Sequence, residues 1–132
     1  MPEFVKHIKS AEATDDFTVR VFDQAGWSLG SLYIGFSTNP ASAVIGHVVC
    51  EHGACALLLR CGFVVGSTEG YFPSCRPFRH GILRCVVDRT TQSVCFYLDG
   101  TPYGRVAWPS VASTPTFALV TFRYPGTSVE FL

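Results

Sequence analysis

ILRCVVDRTTQSVCFYLDGTPYGRV, residues 82–106, decides the fold. Two apolar runs are joined by a short polar connector, and a second tight turn leads into a third run. Val94, Phe96 and Leu98 alternate with Ser93, Cys95 and Tyr97, the period of two that marks a half-buried strand. Asp99-Gly100 follows at once. Asp-Gly between strand-like runs is a strong hairpin signal, because both positions accept φ > 0. Three antiparallel strands are expected, over about 82–88, 93–98 and 102–106.

The flanking sequence carries the same pattern. Phe17, Val19 and Val21 alternate with Thr18 and Arg20, and Asp23–Gly26 reads as a turn. In the next strand Leu32, Ile34 and Phe36 face one way and Ser31, Tyr33 and Gly35 the other. Thr38–Ala41 reads as a loop, since Asn-Pro favours turn initiation. Val44–Cys50 and Ala54–Cys61 are two more apolar runs, with Glu51–Gly53 as a hairpin between them. Phe63–Val65 extends the second of these or begins another strand. Gly66–Arg79, GSTEGYFPSCRPFR, is the longest stretch without periodicity, and loops of that length in compact domains are often functional. Met1–Asp16 is a polar lead-in without a strand pattern. Glu3, Phe4 and Val5 favour its folding back as an extra edge strand, with contact to a partner as the alternative. No segment sustains helical periodicity, and there is no internal repeat or linker. Strands punctuated by Gly, Pro and Asp predict an all-β, two-sheet antiparallel β-sandwich over 17–132, preceded by the lead-in 1–16.

The hairpin resembles the signature of SPRY domains, an aliphatic strand ending in Asp, a Phe-bearing strand, and a turn with two spaced glycines. Gly81, Ile82, Asp88, Phe96, Gly100 and Gly104 stand in register with it. Asp99 departs from it, standing where the family more often has Asn; Asp-Gly makes the same turn. Pro109, Phe117–Phe122 and Ser128–Leu132 occupy the places of the family's Pro-containing loop and closing pair of strands. Upstream, Val19–Thr38 resembles the family's earlier strand pair, with Gly35 as the shared glycine. The neuralized-homology domain is the close second: Trp27, Leu32, Gly35, Phe36 and Pro40 match its run from tryptophan to proline. The likeness spans Phe17 to Leu132, is loose over Val44–Pro77, and offers no counterpart of the family's first strands before Phe17. It implies a concanavalin-like sandwich that binds a peptide or folded protein through loops at one rim, without chemistry of its own. Family members are often substrate-recognition parts of ubiquitin ligases or fixed subunits of assemblies. With no RING or SOCS box in the sequence, an adaptor or complex subunit is the expectation.

Composition bounds the alternatives. A chain of 132 residues suits one domain, and 48% apolar against 15% charged residues excludes a disordered tail. Ten Lys and Arg balance ten Asp and Glu, so no basic excess points to nucleic acid or to an anionic membrane. No apolar run approaches the ~20 residues of a membrane span. The lead-in has no apolar signal region, which sets the expectation of an intracellular, cytoplasmic protein with reduced thiols. Cys61, Cys85 and Cys95 sit in apolar runs, where free cysteine packs as a small hydrophobe.

Aromatic residues and arginines near predicted loops are the best binding candidates, since Tyr, Trp and Arg anchor many interfaces. By likeness the loops at Thr38–Ala43, Gly66–Arg79 and Tyr103–Pro109 supply Asn39, Tyr71, Arg76, Arg79, Tyr103 and Trp108. Trp27, Phe72, Phe78 and Trp108 can instead close the core under loops, and Tyr71, Arg76, Arg79 and Tyr103 can be solvated surface. His47, Cys50, His52 and Cys55 have the residue types of a zinc site, but their crowding within one hairpin fits a tetrahedral ion poorly. Cys75 with His80 or His52 is the sole nucleophile–base pairing to weigh, and no nucleophile elbow accompanies it. Asp88 and Asp99 belong to turns, leaving no acid–base carboxylate pair. A lectin-type sandwich would be expected to carry an Asp/Asn calcium cluster, and Asn39 is the single Asn. No cofactor motif is present, and the expected partner is a protein.

Overall fold

The structure is a computed structural model that describes residues 6–9, 12–23, 32–38, 55–59, 63–65, 70–71, 78, 80–108, 111, 114–122 and 127–132. The strands are β1 (Lys6–Lys9), β2 (Asp16–Asp23), β3 (Leu32–Ser37), β4 (Cys55–Leu59), β5 (Phe63–Val65) and β6 (Gly70–Tyr71). They continue as β7 (Gly81–Asp88), β8 (Ser93–Leu98), β9 (Thr101–Ala107), β10 (Phe117–Phe122) and β11 (Thr127–Phe131). One sheet has the order β1-β10-β3-β4-β5-β6 and the other β11-β2-β7-β8-β9, and every pairing is antiparallel. This is an all-β, two-sheet sandwich.

Its core follows from the period of two. Val19 and Val21 of β2, Leu83, Cys85 and Val87 of β7, Val94 and Phe96 of β8, and Val106 of β9 turn inward and are buried. They meet Ile34 and Phe36 of β3 and Val120 of β10 from the other sheet. Phe17 joins the layers, its ring edge-on to Phe36 at 5.1 Å. Each such side chain contributes about 1.5–3 kcal/mol by leaving water.

The hairpin segments match expectation: strands occupy 81–88, 93–98 and 101–107. Both residues of the Asp99-Gly100 turn have positive φ, 51° and 81°. The Asp99 carboxylate also accepts the Ile82 backbone N–H at 2.9 Å, while Asp99 N–H donates to the Ile82 carbonyl at 2.8 Å. Asp88 closes the preceding turn by accepting the N–H groups of Thr90 and Thr91.

The lead-in folds back as an extra edge strand, as expected: Lys6–Lys9 pairs with β10 at the edge of the six-stranded sheet. Phe63–Val65 is a separate strand antiparallel to β4. Gly70–Tyr71, inside the stretch read as a loop, adds one more strand to β5. The two closing strands lie in different sheets, β10 on β3 and β11 on β2. The expected strand at 44–50 and hairpin turn at 51–53 lie outside the described residues.

Candidate functional site

The strand directions divide the loops between two ends of the sandwich, and the ends are built differently. At one end lie the start of β2, the β7–β8 turn, the end of β9 and the start of β10. Arg89 ties them together. Its Nε and Nη2 form a fork on Asp15 at 2.6 and 2.8 Å, and Nη1 donates to the carbonyls of Val111 (2.6 Å) and Thr114 (2.9 Å). The buried Thr116 hydroxyl lies 2.6 Å from Asp15 Oδ1 and 2.7 Å from the Thr14 carbonyl, so its one proton serves two acceptors. The Arg89 bonds hold the Asp15 carboxyl below its ordinary pKa of 3.8, and burial opposes them only in part.

The opposite end gathers the end of β2, the start of β7, the Asp99-Gly100 turn and the start of β11. Here Phe22 stands on the outer face, 46% exposed, and stacks on His80 at 4.6 Å and 26°. Ile82, 39% exposed, lies on the same face beside Arg20 in the register. These are large apolar groups in the register otherwise filled by Thr18, Arg20 and Arg84. On the same face Arg84 forks onto Asp16 at 3.0 and 2.6 Å, and Arg20 reaches Glu130 at 3.4 Å. At their exposures such pairs contribute less than about 1 kcal/mol each.

Two of the expected contact residues are core. Trp108 is 0% exposed and Tyr103 6%. The register of β8 and β9 shifts between Phe96 and Tyr97, so that Phe96 pairs Gly104 while Tyr97 pairs Pro102. This bulge gives Tyr103 an inward position its place in the strand would not otherwise have, and its ring meets Phe78 edge-on at 5.6 Å. Trp108 follows β9 directly and donates its backbone N–H to the Gln92 carbonyl at 2.7 Å, which fixes it under the turn. Neither can be an exposed contact. Asn39, Arg76 and Arg79 lie outside the described residues, as does the Tyr71 side chain.

A concavity of about 420 Å³ opens at the bulge, lined by Cys95, Phe96, Tyr97, Pro102, Tyr103, Gly104 and Arg105. Sequence reasoning missed it, and it missed Phe22, Ile82 and Arg89. For Phe22 and Ile82 a signal existed: both occupy the polar register of their strands.

Among the described residues the chemical alternatives find no assembled site. Among the described residues no group of three or more His, Cys, Asp or Glu could hold a metal. His47, Cys50 and His52 lie outside them, as does the Cys55 side chain. Cys85 is free and wholly buried, and burial pushes its thiol well above the ordinary value, so it is not a nucleophile. His80 stacks on Phe22, and Cys75 is outside the described residues.

No family model and no curated protein matches the sequence. Solved structures do match. A human SPRY domain superposes with a TM-score of 0.75 at 14% identity, over 99% of this chain and 86% of that one. The chain has the SPRY fold. The SPRY domain of human HERC1 matches with a TM-score of 0.63 at 14% identity, over 96% and 77%. The Drosophila melanogaster neuralized NHR1 domain matches with 0.60 at 13%, over 96% and 78%.

Proposed function

We propose that this SPRY sandwich is a non-catalytic protein-binding module that presents the rim carrying Phe22, His80 and Ile82 to a peptide or folded partner, as an adaptor or subunit of a larger assembly. The observation that carries the reading is the exposure of Phe22 and Ile82 on the outer face beside Arg20. Two packed sheets hold this rim rigidly, so docking orders little that was not already ordered. Tyr71, Arg76 and Arg79 precede β7 in the sequence, and we assign them to the border of this contact. A protein partner fits an aromatic and aliphatic patch better than a glycan does, and no described cluster of acids supplies a calcium-dependent sugar site.

The test compares tagged parent and a Phe22→Ser/Ile82→Thr variant as baits in the same cells, after both are shown to melt alike. The reading expects a set of partners held by the parent and absent from the variant. Equal recovery by both would overturn the rim assignment.

A further inference from the structure

We infer that the concavity at the β8–β9 bulge receives an acidic side chain of an extended partner peptide, its carboxylate on Arg105 and a neighbouring apolar side chain against Tyr97 and Pro102. This rests on the protein-binding reading above and gives the partner a second, chemically defined contact. Arg105 is exposed, yet it is not a loose surface arginine. Its Nε donates to Ser93 Oγ at 3.1 Å, and Ser93, 2% exposed, shares a further hydrogen bond with Thr91 Oγ1 at 2.8 Å. The guanidinium plane is therefore set by a buried hydroxyl.

Its two terminal nitrogens meet no acceptor among the described residues. Asp88 attracts Arg105 at a distance, but its Oδ1 accepts from Thr90 and Thr91 and it forms no ion pair with Arg105. Asp16, the other carboxylate of the neighbouring rows, is held by the Arg84 fork. An oriented guanidinium with two open donors matches the two oxygens of a carboxylate.

The rest of the lining decides between a peptide and a free small acid. A carboxylate on a solvated arginine gains under about 1 kcal/mol by itself, so a small acid would not be retained. Half-buried Tyr97, exposed Pro102 and the Cys95 thiol supply apolar surface beside the charge. Acidic and apolar side chains adjacent on one peptide use both together.

The test uses the full chain and a short acetylated, amidated peptide alternating valine with glutamate, beside versions carrying glutamine or lysine in place of glutamate. Cys95, free and half-buried within the concavity, reports occupancy through its alkylation rate, read by peptide mapping. The glutamate peptide is expected to bind saturably and slow Cys95 alkylation, and the glutamine peptide to bind about threefold to fivefold more weakly. Arg105→Glu should lose the glutamate peptide and gain the lysine peptide, a swap that loss of folding cannot imitate. Unchanged alkylation, equal binding by Arg105→Glu, or competition by free butyrate as effective as the peptide would each overturn the inference. A dimer in sedimentation that Arg105→Glu disperses would overturn it too, making a second copy the occupant. Such failures are separable from failure of the rim reading, which is decided by the Phe22→Ser/Ile82→Thr comparison alone.

Discussion

Arg89 donates from three nitrogens to four acceptors on two separate segments, and the sandwich closes at that end through it. Arg89→Met keeps the aliphatic stem but leaves the Asp15 carboxylate and two carbonyls without their donor. Side-chain exposures of 33% and 41% let water replace part of the loss, so a destabilisation of about 2 kcal/mol is expected, within the ~1–3 of an unsatisfied partly buried group. Urea unfolding of parent and variant measures it. The same residue sets a pH dependence. Asp15 is held below its ordinary pKa first by its bond to Arg89, Asp16 by its bond to Arg84, and Asp88 by the Thr91 backbone N–H. A carboxyl whose folded pKa is depressed stabilises the fold fully above its unfolded value, and loses that contribution as pH falls through the folded value. The urea midpoint should therefore be level above about pH 5 and fall below about pH 4. Asp15→Asn should begin lower and fall less steeply; an unchanged slope would remove Asp15 from the account.

The β8–β9 hairpin was the most legible element, and its turn separates two kinds of change. Asp99→Asn retains an oxygen for the Ile82 N–H and tolerance of positive φ, so the melting temperature should barely move. Gly100→Ala meets no atom within 4 Å, but φ is 81° there, and the left-handed conformation alone should cost about 1–2 kcal/mol. A second comparison tests the corrected placement of Trp108: Trp108→Ala should destabilise by about 3–5 kcal/mol as a core truncation, whereas a surface contact would leave unfolding unchanged. What the sequence concealed has identifiable causes. The bulge that turns Tyr103 inward is a register event between two strands, and alternation along one strand cannot show it. β10 and β11 are consecutive yet lie in different sheets, against the tendency of neighbours in sequence to pair. Strand β6 has two residues, too few for any period. Arg89 lies 74 residues from Asp15 and 22 from Val111, so nothing local marks it as a clamp. Phe22 and Ile82 were readable, because an apolar residue in the polar register of a strand is visible in sequence.

At the scale of the molecule, formal charge is balanced and the ion pairs of the outer face are mutually satisfied. The protein therefore has no strong long-range field with which to steer a partner, and association should proceed at the unsteered rate of about 10⁵–10⁷ M⁻¹s⁻¹. The two proposed contacts differ in kind within that neutral whole. Phe22 and Ile82 offer apolar area, whose burial is insensitive to moderate salt, whereas Arg105 offers a charge that salt screens over about 8 Å at physiological strength and about 3 Å at 1 M. Raising salt from about 0.1 to about 0.5 M, over which screening tightens, should leave parent capture of its partners through the Phe22 rim within about twofold. The same change should weaken the glutamate peptide several-fold, and should do little to whatever residual peptide binding the Arg105→Glu variant retains. Biosensor titrations at the two salt concentrations measure both. If capture through the rim collapsed with salt while Phe22→Ser/Ile82→Thr had little effect on it, the interface would be electrostatic, and the arginines of the outer face, Arg20 and Arg84, would replace the apolar patch as its centre.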